Sequence, residues 1–119
     1  MEEAEWLCRR VREFVQAAGF SQMGFPIELL ARECLCNAVI HGNRNAADKS
    51  VDLSLSVGRK WIRLRVSDQG VGFDWRKARR KGFDTTTTSG RGLQICALYA
   101  ERVRFSRSGN RIALWIRKT

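Results

Sequence analysis

Residues 26–43 read PIELLARECLCNAVIHGN, and this stretch decides the fold. Its apolar residues are Ile27, Leu30, Ala31, Cys34, Leu35, Ala38 and Val39. They recur in the three-then-four rhythm of one buried helix face. Glu33, Asn37 and His41 stand four residues apart, so an α-helix stacks them along a single stripe. A carboxylate, an amide and an imidazole then project from one edge of a core-bound helix. Taken alone, the same stripe is what a solvated polar flank looks like. Pro26 suits the first helical turn, where a missing N–H does no harm. Gly42 follows the stripe directly, where a helix stop is expected.

On the N-terminal side, residues 2–18 predict a first helix. Leu7, Val11, Phe14, Val15 and Ala18 fall at helical spacing, and Gly19 suits the position after its end. Residues 20–25 connect the two helices, and residues 43–50 form a polar loop. Val51, Leu53, Leu55 and Val57 then alternate with Asp52, Ser54 and Ser56, the mark of a half-buried strand. Residues 58–60 make a tight connection to a second strand, where Ile62, Leu64 and Val66 alternate with Arg63, Arg65 and Ser67. A basic segment (74–81) and a polar tract (82–89) follow. A third helix is expected over 93–100. Val103 and Phe105 predict a strand, residues 108–110 a turn, and Ile112, Leu114 and Ile116 a last strand. Two hairpins with apolar faces need a cover, and three amphipathic helices supply it. The expected fold is a two-layer α/β sandwich in a single domain, 1–119.

With 119 residues the chain can bury one real core. No apolar run approaches a membrane span and no signal peptide is apparent, so no membrane partner is expected and the implied compartment is the cytoplasm. Cys8, Cys34, Cys36 and Cys96 show no zinc-knuckle spacing and share the chain with one histidine. They read as reduced thiols in or near the core. The net charge of +10 is unevenly placed: residues 1–57 carry 6 basic and 8 acidic side chains, residues 58–119 carry 16 and 4. That asymmetry points to a polyanionic or acidic partner, and nucleic acid, nucleotide phosphate and an acidic protein all fit it.

Three motifs carry chemistry. The first is the helix stripe. An asparagine oxygen at Asn37 is a hard ligand suited to Mg²⁺, and a glutamate one turn away at Glu33 can orient or deprotonate an attacking hydroxyl. The second is Asp68-x-Gly70-x-Gly72 at a strand end. A carboxylate there only accepts hydrogen bonds, which suits the exocyclic amine of adenine and repels the carbonyl of guanine. The glycines let backbone approach a flat base. The third is Ser89, Gly90, Arg91, Gly92 and Leu93 at a helix start, where free N–H groups attract phosphate. Each motif has an ordinary alternative: a loop, or a glycine-rich helix start.

Their order and spacing together are specific. ECLCNAVIHGN resembles the N box of the GHKL ATPase superfamily, DQGVGF its G1 box and SGRGL its G2 box. Within that superfamily the E-x-x-x-N-A-x-x-H-G form and the short chain resemble the anti-sigma-factor serine kinases of the RsbW and SpoIIAB type. The resemblance covers about residues 26–117. It implies a Bergerat-type ATP site between sheet and helices, closed by a lid at 73–89. Glu33 matches the catalytic base and Asn37 the Mg²⁺ ligand. Asp68 matches the adenine-reading carboxylate, with Gly70 and Gly72 shaping the base pocket. Residues 89–93 match the phosphate-binding turn, and His41 the end of the N box. The implied cofactors are ATP and Mg²⁺. The implied partners are a small anti-sigma-factor antagonist, phosphorylated on serine, a sigma factor, and a second copy in a homodimer. Family members usually begin with a strand before the first helix, and this sequence opens on the helix, so the sheet is expected one strand short. A non-catalytic ATP-binding module is the runner-up. A basic nucleic-acid-binding domain explains the charge but not the three boxes, so direct nucleic-acid binding is not expected.

Overall fold

The structure is a computed structural model that describes residues 2–80, 95–96 and 98–117. Strands β1 (Asp52–Val57), β2 (Trp61–Ser67), β3 (Arg102–Phe105) and β4 (Arg111–Arg117) form one antiparallel sheet in the order β1-β2-β4-β3. Both expected hairpins are present, and they join in the middle, where Leu64 of β2 lies opposite Leu114 of β4. The alternation written in the sequence sets the faces. Ile62, Leu64, Val66, Ile112, Leu114 and Ile116 are buried on one side, and arginines and tryptophans take the other.

Helices α1 (Glu2–Ala17) and α2 (Gly24–Cys36) pack together, and their apolar faces merge with the inner face of the sheet into one core. That is the expected two-layer α/β sandwich. From α2, Ile27, Leu30, Ala31, Cys34 and Leu35 are buried as read, and Ala38 continues the face just beyond it. On α1 the buried line is Cys8, Val11 and Val15, with Ala4 and Leu7 beside it. Phe14 and Ala18, expected on that line, are exposed instead. They sit one position to the side of Val15 and past the helix end, where the chain has already turned toward α2. Arg32 of α2 grips Glu5 of α1 through two hydrogen bonds of 3.0 and 2.7 Å, and Arg12 of α1 reaches the buried Glu28 of α2 at 3.0 Å. The Arg32 hydrogen bond holds the Glu5 carboxyl below its usual range.

The basic segment after β2 contains a further helix, α3 (Trp75–Arg80). Asp74 starts it: its Oδ1 accepts from the Lys77 N–H at 3.1 Å, satisfying an amide that the first turn leaves open. Trp75 stacks on Phe105 with ring centroids 5.5 Å apart, and Phe73 meets the same ring edge-on at 5.5 Å. These three rings gather at the end of the sheet where β2 exits. Of the helix expected over 93–100, residues 95, 96, 98 and 99 are helical and the remainder of its start lies outside the described residues.

Leu114→Ala, at a fully buried position in a central strand, should lower unfolding free energy by about 2–5 kcal/mol in urea titration. Phe14→Ala should change it by less than about 0.5 kcal/mol, because its ring is on the outer side of α1.

Candidate functional site

α2 does not end at Gly42 as an ordinary α-helix. From Asn37 to Gly42 the backbone widens into a π-helical turn, and the Asn43 N–H donates to the Ala38 carbonyl at 2.8 Å. Such widened turns give each residue a smaller rotation than an α-helix does, so Asn37 and His41 no longer continue the Glu33 stripe in a straight line. The helical path ends at Gly42, where the sequence places a stop, and Arg44 and Asn45, with φ angles of 53° and 58°, then turn the chain away. The Gly42 backbone lies against the Asp68 carboxylate, and a Cβ at Gly42 would overlap that carboxylate. The glycine is needed for close approach, not for a left-handed turn.

The contact is fixed by Asn43, which is 3% exposed. Its Oδ1 accepts from the Gln69 N–H at 2.7 Å and its Nδ2 donates to the Ser50 carbonyl at 2.9 Å. Gln69 returns the link, its Oε1 accepting from the Ser50 N–H at 2.9 Å. One amide thus ties the end of the N-box helix to the turn after β2 and to the segment that leads into β1. In the sequence Asn43 is only the first residue of the polar loop 43–50. The signal was there in its type, since a buried asparagine next to a helix end is a backbone stapler by chemistry.

Beyond Asp68 the chain makes a tight turn. The Gly70 N–H donates to Asp68 Oδ1 at 2.7 Å, and the Asp68 N–H donates to the Asn110 carbonyl at 2.9 Å. Gly72 has φ 88°, and a Cβ there would strike the Ser108 carbonyl, so only glycine fits. The Phe73 N–H then donates to that same carbonyl at 3.0 Å. The turn between β3 and β4 thereby holds the turn after β2 from the other side.

A cavity of about 130 Å³ opens between these elements. Asn37, His41 and Gly42 come from the widened helix, and Asp68 and Gly72 from the turn. Ala38, Val66, Ile112, Phe73 and Phe105 give it apolar walls. Four of the residues singled out from sequence, Asn37, His41, Asp68 and Gly72, thus meet around one space, and Gly70 supports it through Asp68. Glu33 is half-buried one turn earlier on α2 and is not among the lining residues. Ser89, Gly90, Arg91, Gly92 and Leu93 lie outside the described residues, as does most of the expected lid.

Asp68 has one oxygen engaged by Gly70, and its carboxyl is raised above its usual range by burial, opposed by the Gly70 N–H and by Lys49. Cys34, on the cavity wall, sits 3.7 Å from Cys96, and that contact together with burial pushes its thiol well up. Burial likewise pushes Cys8 up to about 11. Both are core thiols, as read.

An antiparallel sheet backed by helices, with an Asp-Gly turn facing an asparagine on a helix end, defines a nucleotide-binding α/β sandwich. The family model for the histidine kinase-like ATPase domain matches residues 2–118, and the chain belongs to that family, the GHKL type. ATP binding comes with this membership. No curated protein matches the chain. Among the described residues, no helix is long and apolar enough to cross a membrane.

Two predictions test this geometry. Asn43→Ala leaves the Gln69 N–H and the Ser50 carbonyl without their buried partner, and should cost about 1–3 kcal/mol in urea titration. Asp68 has the opposite sign. Its folded carboxyl holds a proton more tightly than the unfolded chain does, so the ionised form costs stability. That cost is absent at acid pH and appears as pH rises through the folded pKa. Asp68→Asn should therefore melt higher than the unliganded wild type at neutral pH, and the gap should close as the solution is made acidic.

Proposed function

We propose that this domain is an ATP-dependent protein serine/threonine kinase of the anti-sigma type. It would phosphorylate a small anti-sigma-factor antagonist on serine and, in exchange of partners, hold a sigma factor inactive in the cytoplasm. The observation that carries the nucleotide part is that Asn37, His41, Asp68 and Gly72, drawn from elements far apart in sequence, line one cavity. The anti-sigma part rests on the E-x-x-x-N-A-x-x-H-G form of the N box.

The residues present fit ATP. Asp68 offers its second oxygen to an exocyclic amine, and apolar walls receive the flat base. Asn37 faces the same space from the helix, where its amide oxygen would take one position on Mg²⁺. Among the described residues no three His, Cys, Asp or Glu side chains gather to hold a metal. A single amide ligand suits Mg²⁺, which takes its remaining ligands from phosphate and water. Held by Asn37, such a metal would supply charge neutralisation at the phosphates. Glu33, one turn back, is the base in this reading and would take the proton of the attacking serine hydroxyl. Residues 89–93 would hold the phosphates. The whole chain acts as one domain, and a homodimer is its proposed assembly.

One observation favours a second reading, an ATP-binding module that transfers no phosphate. Glu33 stands outside the cavity lining, so it reaches a hydroxyl only if the partner brings that hydroxyl over the helix edge.

Isothermal titration and single-turnover phosphate transfer decide between them. Mg-ATP should bind far better than Mg-GTP, and Asp68→Asn should lower ATP affinity by roughly 1–3 kcal/mol, a charge-assisted bond lost in a half-buried site. Asn37→Ala should weaken Mg-ATP binding. Glu33→Gln should bind ATP at least as well as wild type while transfer to an antagonist falls by roughly 10²–10⁴, the usual loss for a general base. Wild-type transfer rates in Glu33→Gln would remove Glu33 from the mechanism. Tight ATP binding with no transfer to any antagonist would establish the second reading.

A further inference from the structure

The outer face of the sheet carries a pattern that the nucleotide site does not use. Trp61, Arg63 and Arg65 of β2 point away from the core, as do Trp115 and Arg117 of β4 and Arg102 and Arg104 of β3. These residues are scattered over three strands, which is why the sequence shows no aromatic-rich basic motif. The register gathers them. Trp61 lies opposite Arg117, Arg63 opposite Trp115, and Trp115 opposite Arg102 on its other side. The Arg117 guanidinium is 5.9 Å from the Trp61 ring centre, and that of Arg102 is 5.3 Å from the Trp115 ring centre. Arg65 and Arg104 flank Ala113, whose small side chain leaves a low floor between them.

The face is unbalanced in charge. Asp52, at the β1 edge, is the one acidic side chain among its strand residues. The salt bridges among the described residues all lie on α1 and α2. With Arg111 of β4, whose Nε donates to the Ser67 Oγ at 2.9 Å, six like charges on an open sheet disfavour a second copy of the same face and call for a polyanion. The cations on it are all arginine. A guanidinium pairs with phosphate through two hydrogen bonds and stacks on flat rings. Two indoles set among them offer what a carboxylate-rich peptide has no use for: π-faces for bases. A four-stranded antiparallel sheet with aromatic rings on its open face is a geometry that presents such rings to unpaired bases.

We propose that this face binds single-stranded nucleic acid, with bases against Trp61 and Trp115 and phosphates on Arg63, Arg65, Arg102, Arg104 and Arg117. The nucleotide cavity lies on the inner side, against Val66 and Ile112, so both sites can be filled at once.

The test is fluorescence anisotropy of a labelled single-stranded oligonucleotide with the full chain, in saturating Mg-ATP so that the cavity is occupied. Binding should weaken with salt at a log–log slope of about −0.7 for each phosphate held. Arg104→Gln with Arg117→Gln should flatten that slope by about 1.4. Trp61→Ala should weaken binding roughly tenfold with the slope unchanged, and Trp61→Phe should restore most of it, which separates stacking from misfolding. Removing the same charge from α1, with Arg9→Gln and Arg10→Gln, should leave affinity close to wild type. The proposal is overturned if Mg-ATP displaces the oligonucleotide, or if the α1 variant loses as much as the sheet variant. A poly-glutamate peptide binding this face more tightly than the oligonucleotide would also overturn it and assign the face to an acidic protein.

Discussion

The site depends on one buried amide. Asn43 holds the end of the N-box helix to the turn after β2, and Asp68 is set against Gly42 because that distance is held short. Helix and sheet pack through apolar surface, which fixes their separation but is tolerant of sliding. Directional hydrogen bonds are not. The Asn43 pair at 2.7 and 2.9 Å converts a hydrophobic contact between layers into a defined spacing between Asn37 and Asp68, the two groups that would read metal and base.

That spacing is bought with instability at Asp68. A carboxylate drawn partly out of water against glycine backbone is kept by one N–H, and its raised proton affinity is the sign of the strain on its charge. The free oxygen is what a bound amine would satisfy. The π-helical turn belongs to the same compromise. Widening the helix at Asn37 places Asn37 and His41 around the cavity while Ala38 stays in the core.

Much of the fold was legible because strands and helices announce themselves by period. Val51 to Val57, Ile62 to Val66 and Ile112 to Ile116 alternate, and β1, β2 and β4 follow them within a residue. The helix α2 was legible through Ile27 to Leu35. What period cannot show is a change of period, so the π-helical turn was invisible, although the helical path does end at Gly42. Contacts that cross elements were equally hidden. Asn43 to Gln69 spans two motifs, and the arginine and tryptophan grid on the outer face exists only after β2, β4 and β3 are laid side by side. On α1, Phe14 was misplaced because its apolar type outweighed its position. Asn37, Asp68 and Gly72, which the resemblance of the boxes assigns to one site, line one cavity, while Glu33 stands off it.

If the site is as proposed, the space between the Asn43-held helix end and the Asp68 turn receives ATP. Backbone amide chemical shifts followed during Mg-ATP titration test it directly. Saturable shifts are expected at Asn37, His41, Gly42, Asp68, Gly70 and Gly72, with Arg63 and Trp115 on the outer face unmoved. Shifts confined to the outer face, with the amides of Asp68 and Gly70 unchanged at saturation, would contradict it.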